Sequence, residues 1–198
     1  MWADNIVRRR SAQGGSATIE FALVTLVFFA MLFGVMEVAR ALYLKSTLQE
    51  VTRRAASMAA ATDFSNAVAI SQVRQSAVFR DSPGALMLGN PVTDANVQIE
   101  YLSLSRTGGS LALNVIPAAS LPACPAGNVL NCTADPYGAS CIRLVRVRIC
   151  AAGGNGVCTP LQYQPLVALT GLNMTLPSAT TIVPAGSLGF QPGMAPCF

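Results

Sequence analysis

The feature that most constrains this chain is the run from Phe21 to Met36, sixteen residues without a charged side chain. Apolar neighbours at both ends bring it near the ~20 residues that a helix needs to cross the hydrocarbon of a bilayer. Three consecutive arginines, residues 8–10, precede the run. Since positively charged flanks stay in the cytoplasm, we expect a membrane helix over about residues 17–38, with the C-terminal bulk exported.

A secretory signal peptide also places basic residues before an apolar core. It is then cut after a small-x-small motif soon after that core. Here Glu37, Arg40 and Lys45 follow, and alanine-rich candidates come only at residues 55–61. The pattern therefore predicts a retained anchor.

Apolar residues recur at spacings of three and four through residues 41–62, which predicts an amphipathic continuation of the helix. Glu50 and Arg54 have the spacing of a favourable helical ion pair. Asp63 is the expected N-cap of a second helix across residues 64–80. We thus expect a leader over residues 1–15, one long helix over 16–62 and a head domain over 63–198.

The head domain changes to the period-two pattern of β-strands. The candidate strands are residues 97–101, 111–116, 145–149 and 175–183, the last weakened by Pro177. Ile142 and Leu144 fall out of phase with the third strand, so we expect a bulge near Leu144. Residues 117–140 have the composition of a loop. The predicted fold class is α+β, a long N-terminal helix carrying a small antiparallel sheet.

All six cysteines lie in the C-terminal half: Cys124, Cys132, Cys141, Cys150, Cys158 and Cys197. An even number in an exported domain indicates an oxidising compartment and up to three disulfides. Zinc is the competing interpretation, but the chain has no histidine and no C-x-x-C pair. The pairs Cys124–Cys132 and Cys150–Cys158 close short loops and are favoured, which leaves Cys141–Cys197.

The residues offer little catalytic chemistry. With no histidine, hydrolase triads based on Ser-His or Cys-His are absent. No basic face with interleaved aromatics accompanies the formal charge of +4. We therefore expect no enzymatic activity, no metal or other cofactor and no nucleic-acid partner.

Two glutamates flank the apolar run. Glu37 can pair with Arg40 in the headgroup region. Glu20 has only Leu23 and Val24 three and four residues on. A charge inside the apolar zone costs about 2.5–3.5 kcal/mol near its centre and less at its edge. Either Glu20 reaches the cytoplasmic interface or it meets a partner outside its own helix.

The order Gly15, Ser-Ala-Thr-Ile, Glu20-Phe21 resembles the cleavage signature of type IV prepilins and pseudopilins. The fuller run Glu20-Phe21-Ala22-Leu23, followed by Gly34, Glu37 and Arg40, resembles the TadE-type pseudopilins of the tight-adherence (Flp, type IVc) pilus. TadF-type and TadG-type relatives share this N-terminal pattern, so the subfamily stays open.

The resemblance implies a pilin-like fold and a role for each matched residue. Gly15 would be the last leader residue and Ser16 the new N-terminus. Glu20 and Phe21 would serve assembly, with Glu20 meeting the free amine of a neighbouring subunit.

The resemblance also implies partners and a location. The partners would be the prepilin peptidase, other pseudopilins, the major Flp pilin, the inner-membrane assembly platform and membrane lipid. The implied protein is a minor pilin of the bacterial inner membrane that helps to initiate or cap pilus assembly. The alternative is an unprocessed, membrane-anchored periplasmic or surface binding protein.

Overall fold

The computed structural model describes residues 16–151, 157–165, 175–195 and 197. The longest element is helix α1, Ser16–Ala59, of 44 residues. The chain divides into two compact units, residues 1–41 and 42–198, and the boundary falls within α1. We call residues 42–198 the C-terminal unit.

Ala60, the residue that follows helix α1, accepts hydrogen bonds from a distant segment of the chain. The amide groups of Gly186 and Leu188 both donate to the carbonyl oxygen of Ala60 at 3.0 Å. A side chain at residue 186 would place its Cβ 2.8 Å from that oxygen, so only glycine allows this approach. The last carbonyl groups of the helix accept from the amide groups of residues 60–62, and the distant segment holds the residue that follows the helix.

Helix α2, Ala67–Ala77, is shorter than the predicted span of residues 64–80. Its N-cap is Asn66, whose side chain accepts hydrogen bonds from Val68 N and Ala69 N at 3.1 Å. The prediction of Asp63 as N-cap was wrong. Asp63 Oδ1 instead accepts from the backbone of Ser65 at 2.9 Å, and this local turn competes with helix capping.

Helix α3, Pro125–Ala134, lies in the segment that was predicted to be a loop. Its proline occupies the first turn, where the missing N–H costs nothing. The side chain of Asn128 accepts a hydrogen bond from Ile142 N at 2.8 Å and so ties the helix to the following segment. This long-range contact stabilises a helix whose composition alone resembles a loop.

Four strands form one antiparallel sheet in the order β2-β1-β3-β4. They are β1, Val97–Thr107; β2, Ser110–Val115; β3, Leu144–Ile149; and β4, Thr180–Pro184. Gly108 and Gly109, both with positive φ, form the two-residue turn between β1 and β2. The α+β prediction is confirmed.

Two details of the predicted strands were wrong. Of residues 175–183, only the last part is in strand β4, beyond Pro177. No bulge occurs near Leu144, because Val97–Leu102 pairs residue for residue with Leu144–Ile149. The phase conflict is resolved because Ile142 is buried in the irregular segment before β3.

One sheet face and the second half of α1 form the core of the C-terminal unit. The predicted apolar stripe is confirmed at Leu44, Leu48, Val51 and Ala55, all fully buried. Buried side chains of β1 and β3, including Tyr101, Val145 and Val147, lie on the facing side of the sheet.

The structure contains three disulfides and pairs all six cysteines. Cys150–Cys158 is confirmed, but the other two bonds are Cys124–Cys197 and Cys132–Cys141 rather than the predicted pairs. Helix α3 explains the difference. Eight residues of helix separate Cys124 from Cys132 by about 12 Å, beyond the ~7 Å Cα separation that a disulfide tolerates. Cys132 and Cys141 have Cα atoms only 4.8 Å apart.

Candidate functional site on the N-terminal helix

The first half of α1 exposes apolar side chains in every direction. Of residues 17–36, all are exposed except the half-buried Thr25. Phe21 is 73% exposed and Met31 70%. Over Ala17–Ala59 the helix is long and apolar enough to cross a membrane. Such a surface fits lipid or the helices of other membrane proteins.

Glu20 lies at the fifth residue of α1 and is exposed between Ile19 and Phe21. Within the described ranges of the chain, no side chain forms an ion pair or hydrogen bond with its carboxylate. The predicted partner outside its own helix stays a prediction.

The predicted cleavage position lies at the edge of the described residues. Ser16 is the first residue of α1. Gly15 and the predicted leader, residues 1–15, lie outside the described residues. The predicted cleavage between Gly15 and Ser16 therefore stays a prediction.

The predicted pair at the other end of the apolar run is present. Arg40 Nη1 lies 3.8 Å from Glu37 Oε1, three residues earlier on the helix. Both side chains are half-buried. The pair is a partly shielded charge contact at the end of the uncharged run.

The next predicted pair, Glu50 with Arg54, was wrong. Glu50 pairs with Arg53, whose Nε lies 3.0 Å from its carboxylate. This hydrogen bond and the charge of Glu50 raise the pKa of Arg53. The guanidinium of Arg54 instead lies 5.1 Å from the ring centroid of Phe79, within cation–π range.

A polar cluster on the sheet face away from α1 was missed by the sequence reasoning. The buried carboxylate of Glu100 accepts hydrogen bonds from Arg146 Nε, at 2.5 Å, and from Arg148 Nη2. The sequence did contain a sign of this cluster, because the charged residues alternate with the core residues along both strands. The register then places Glu100 opposite Arg146. The cluster borders an open cavity of about 590 Å³ and retains one excess positive charge.

A second, smaller cavity of about 260 Å³ lies between α2 and β1, lined by Phe64, Arg74 and Tyr101. The Tyr101 hydroxyl is buried and has no hydrogen-bond partner among the described residues. Burial is the main cause that raises the pKa of Tyr101, while the charge of Arg74 lowers it and that of Asp63 raises it.

The described part of the chain contains no set of side chains arranged to bind a metal ion. The six cysteines are held in disulfides. No group of three or more Cys, Asp or Glu residues described here is placed to hold an ion.

These features define a class of protein: one apolar helix able to span a membrane, joined to an α+β unit with three disulfides. The family comparison is more specific. Residues 15–57 match the model of the family described as TadE-like protein, so this N-terminal stretch is similar to that family, as the resemblance predicted. The match begins at Gly15 and includes Glu20, Phe21, Glu37 and Arg40. Comparisons with curated proteins and with solved structures found no match.

Proposed function

We propose that this protein is a minor pilin or pseudopilin of the tight-adherence (Flp, type IVc) pilus. A prepilin peptidase cuts it after Gly15, and the mature protein helps to initiate or cap pilus assembly. The observation that supports this proposal is the TadE-like match over residues 15–57, on a helix whose first half exposes apolar side chains all round.

The proposed assembly contact uses the two ends of the first helical turn. Cleavage would leave a free amine on Ser16, and Glu20 follows it by four residues, about 6 Å of helix rise. A carboxylate in an apolar environment is stabilised by a cationic partner. The amine of one subunit and Glu20 of its neighbour would provide that pairing and set the register between the two helices.

In this proposal the two halves of α1 have different roles. The exposed half, up to Glu37 and Arg40, packs against lipid or against helices of other pilus subunits. Gly34 contributes to such packing, because a Cβ there would meet nothing within 4 Å, so another helix can approach its backbone. The buried half, from Leu44 onward, packs in the core of the C-terminal unit.

The proposed setting follows from the same segment. The protein would be single-pass in the bacterial inner membrane, with its N-terminus cytoplasmic and residues beyond α1's apolar run periplasmic or in a surface pilus. Its partners would be the prepilin peptidase, other pseudopilins, the major Flp pilin, the assembly platform and lipid. It would act as a structural and interaction protein and not as an enzyme.

Intact mass tests this proposal. The full chain is extracted from membranes of two strains, one with and one without the prepilin peptidase. We expect loss of residues 1–15 only where the peptidase is present. Retention of Met1–Gly15 in the peptidase-positive strain would contradict the proposal and favour an unprocessed, membrane-anchored binding protein.

A further inference from the structure

Residues 85–93 form a closed loop that exposes two adjacent apolar side chains at its tip. Met87 is 77% exposed and Leu88 74%. In the part of the chain that the structure describes, no other large apolar side chain is more exposed, including those of the membrane-compatible half of α1. The tip therefore presents two adjacent apolar side chains for contact with an apolar environment.

The exposure comes from an ordered loop. Leu86 and Val92 are buried and anchor its two ends, and Leu86 N donates to Val92 O at 2.8 Å. Gly89 N donates to Leu86 O at 2.9 Å, and a Cβ on Gly89 would lie 2.5 Å from the Leu86 side chain. Leu88 has φ +55°, a conformation that leucine rarely adopts. The fold thus builds a turn that holds Met87 and Leu88 outward.

The loop lies beside a particular turn of α1. The hydroxyl of Tyr43 donates to the carbonyl oxygen of Met87 at 3.4 Å. Tyr43 follows Glu37, the acidic residue at the end of the apolar run, by six residues, about 9 Å of helix rise. Tyr43 and the preceding Leu42 are themselves exposed, at 44% and 62%. Tyrosine at such a position is typical of the boundary between a membrane and water.

We propose that Met87 and Leu88 insert into the interfacial region of the lipid bilayer, on the side where α1 leaves the membrane. The loop, together with Leu42 and Tyr43, would then form a second lipid contact of the protein. This inference rests on the proposed function only in taking α1 as a membrane helix. Lipid is the occupant that fits, because an apolar tip entering a bilayer by about 5–10 Å needs no large complementary surface. A protein partner would need a far larger buried area than a two-residue tip offers.

Tryptophan fluorescence in the full chain tests the proposal. Trp2 is the only tryptophan, so Trp2→Phe provides a silent background. Single tryptophans are then introduced by Met87→Trp in the loop, Phe28→Trp within the apolar run and Val68→Trp on α2. Val68 is a matched control because it is apolar and 65% exposed but follows the C-terminal end of α1. Each protein is reconstituted into phosphatidylcholine–phosphatidylglycerol vesicles with bromine atoms near the top of the acyl chains.

We expect Met87→Trp to show a blue-shifted emission and to lose about half of its intensity in brominated vesicles, as an interfacial residue would. Val68→Trp should show neither change. If Phe28→Trp is quenched and Met87→Trp is not, the loop inference fails while the membrane helix stands. If Phe28→Trp is also unquenched, the membrane helix and the inference fail together. If the emission of Met87→Trp shifts to the blue only after other pilus subunits are added, the tip contacts a protein partner and the lipid proposal fails.

Discussion

Thr52 in α1 and Thr181 in β4 are 129 residues apart in the sequence, yet their hydroxyl oxygens share a hydrogen bond of 2.9 Å. Thr52 is fully buried and also donates to Gln49 O at 2.9 Å, so Thr181 is the donor in the contact between the two hydroxyls. Thr181 pairs with Val147 across the sheet and therefore shares its core face. The contact shows which sheet face receives the helix.

A double-mutant cycle on this pair should reveal its coupling. We expect Thr52→Val and Thr181→Val each to lower the free energy of unfolding, with a coupling of about 1 kcal/mol, the usual net value of one hydrogen bond. Thr47→Val is the matched control, because among the described residues the Thr47 hydroxyl bonds within its own helix, to Tyr43 O. Chemical unfolding of the full chain in detergent measures all four variants. Additive effects of the two substitutions would show that the contact contributes nothing.

Processing should depend on Gly15, the residue before the predicted cleavage position. Gly15→Leu is expected to block cleavage, because a bulky side chain next to the scissile bond obstructs a peptidase that requires a small residue there. Gly14→Leu, one residue away, is the matched control and should be cut. Intact mass in a peptidase-positive strain distinguishes the two. Equal processing of both variants would place the cleavage elsewhere.

Removal of the carboxylate at Glu20 should separate processing from assembly. Glu20→Gln and Glu20→Ala are expected to be cleaved nearly as well as the wild type. They should assemble pili at least about tenfold less well, as expected if a contact of 1.4 kcal/mol or more is lost. Glu37→Gln removes the carboxylate at the other end of the apolar run and should reduce piliation less. Glu37 pairs with Arg40 of its own helix and so needs no partner from a neighbouring subunit. Piliation counted by electron microscopy provides the measurement. Unchanged piliation in both Glu20 variants would exclude the pairing role.

The disulfide pattern can be tested chemically and by stability. Non-reducing peptide mapping should recover Cys132 linked to Cys141 and Cys124 linked to Cys197. Replacing both cysteines of a pair by serine should cost about 4 kcal/mol for Cys124–Cys197 and about 3 kcal/mol for Cys132–Cys141, because the longer loop restricts the unfolded chain more. A peptide that links Cys124 to Cys132 would contradict the structure of α3.

Tyr101 should make the stability of the C-terminal unit depend on alkaline pH. Burial raises the pKa of Tyr101 in the folded state above its ordinary value near 10. As the pH rises, the unfolded chain releases this proton first. The stabilising contribution is therefore complete below about pH 10 and is lost as the pH rises through the folded pKa.

Tyr101→Phe should remove this dependence. Above about pH 10 its free energy of unfolding should fall less steeply with pH than that of the wild type, with a difference in slope of up to about 1.4 kcal/mol per pH unit. At neutral pH the variant should be at least as stable, since the hydroxyl has no partner among the described residues. Tyr137→Phe, at a 43% exposed tyrosine, is the control. Parallel pH profiles for the wild type and Tyr101→Phe would refute the role of burial.

Local patterns predicted much of the architecture. The apolar run, the stripe at Leu44, Leu48 and Val51, and the alternation in β1 and β3 all depend on neighbours within a few residues of the chain. For that reason the helix, the strands and the Glu37–Arg40 pair followed from sequence alone. The N-terminal motif also predicted the TadE-like match, because its residues lie close together in the sequence.

Long-range contacts decided the rest. Helix α3 depends on Asn128 reaching Ile142, and its presence changes which cysteines can meet. The cluster of Glu100 with Arg146 and Arg148 requires the register of β1 against β3. The outward tip at Met87 and Leu88 requires buried anchors and Tyr43 from a distant helix turn. By itself the sequence determined the periodic elements and the candidate processing motif, because both are local. Pairings between distant segments were decided only by the tertiary structure, because they depend on which surfaces the packed elements bring together.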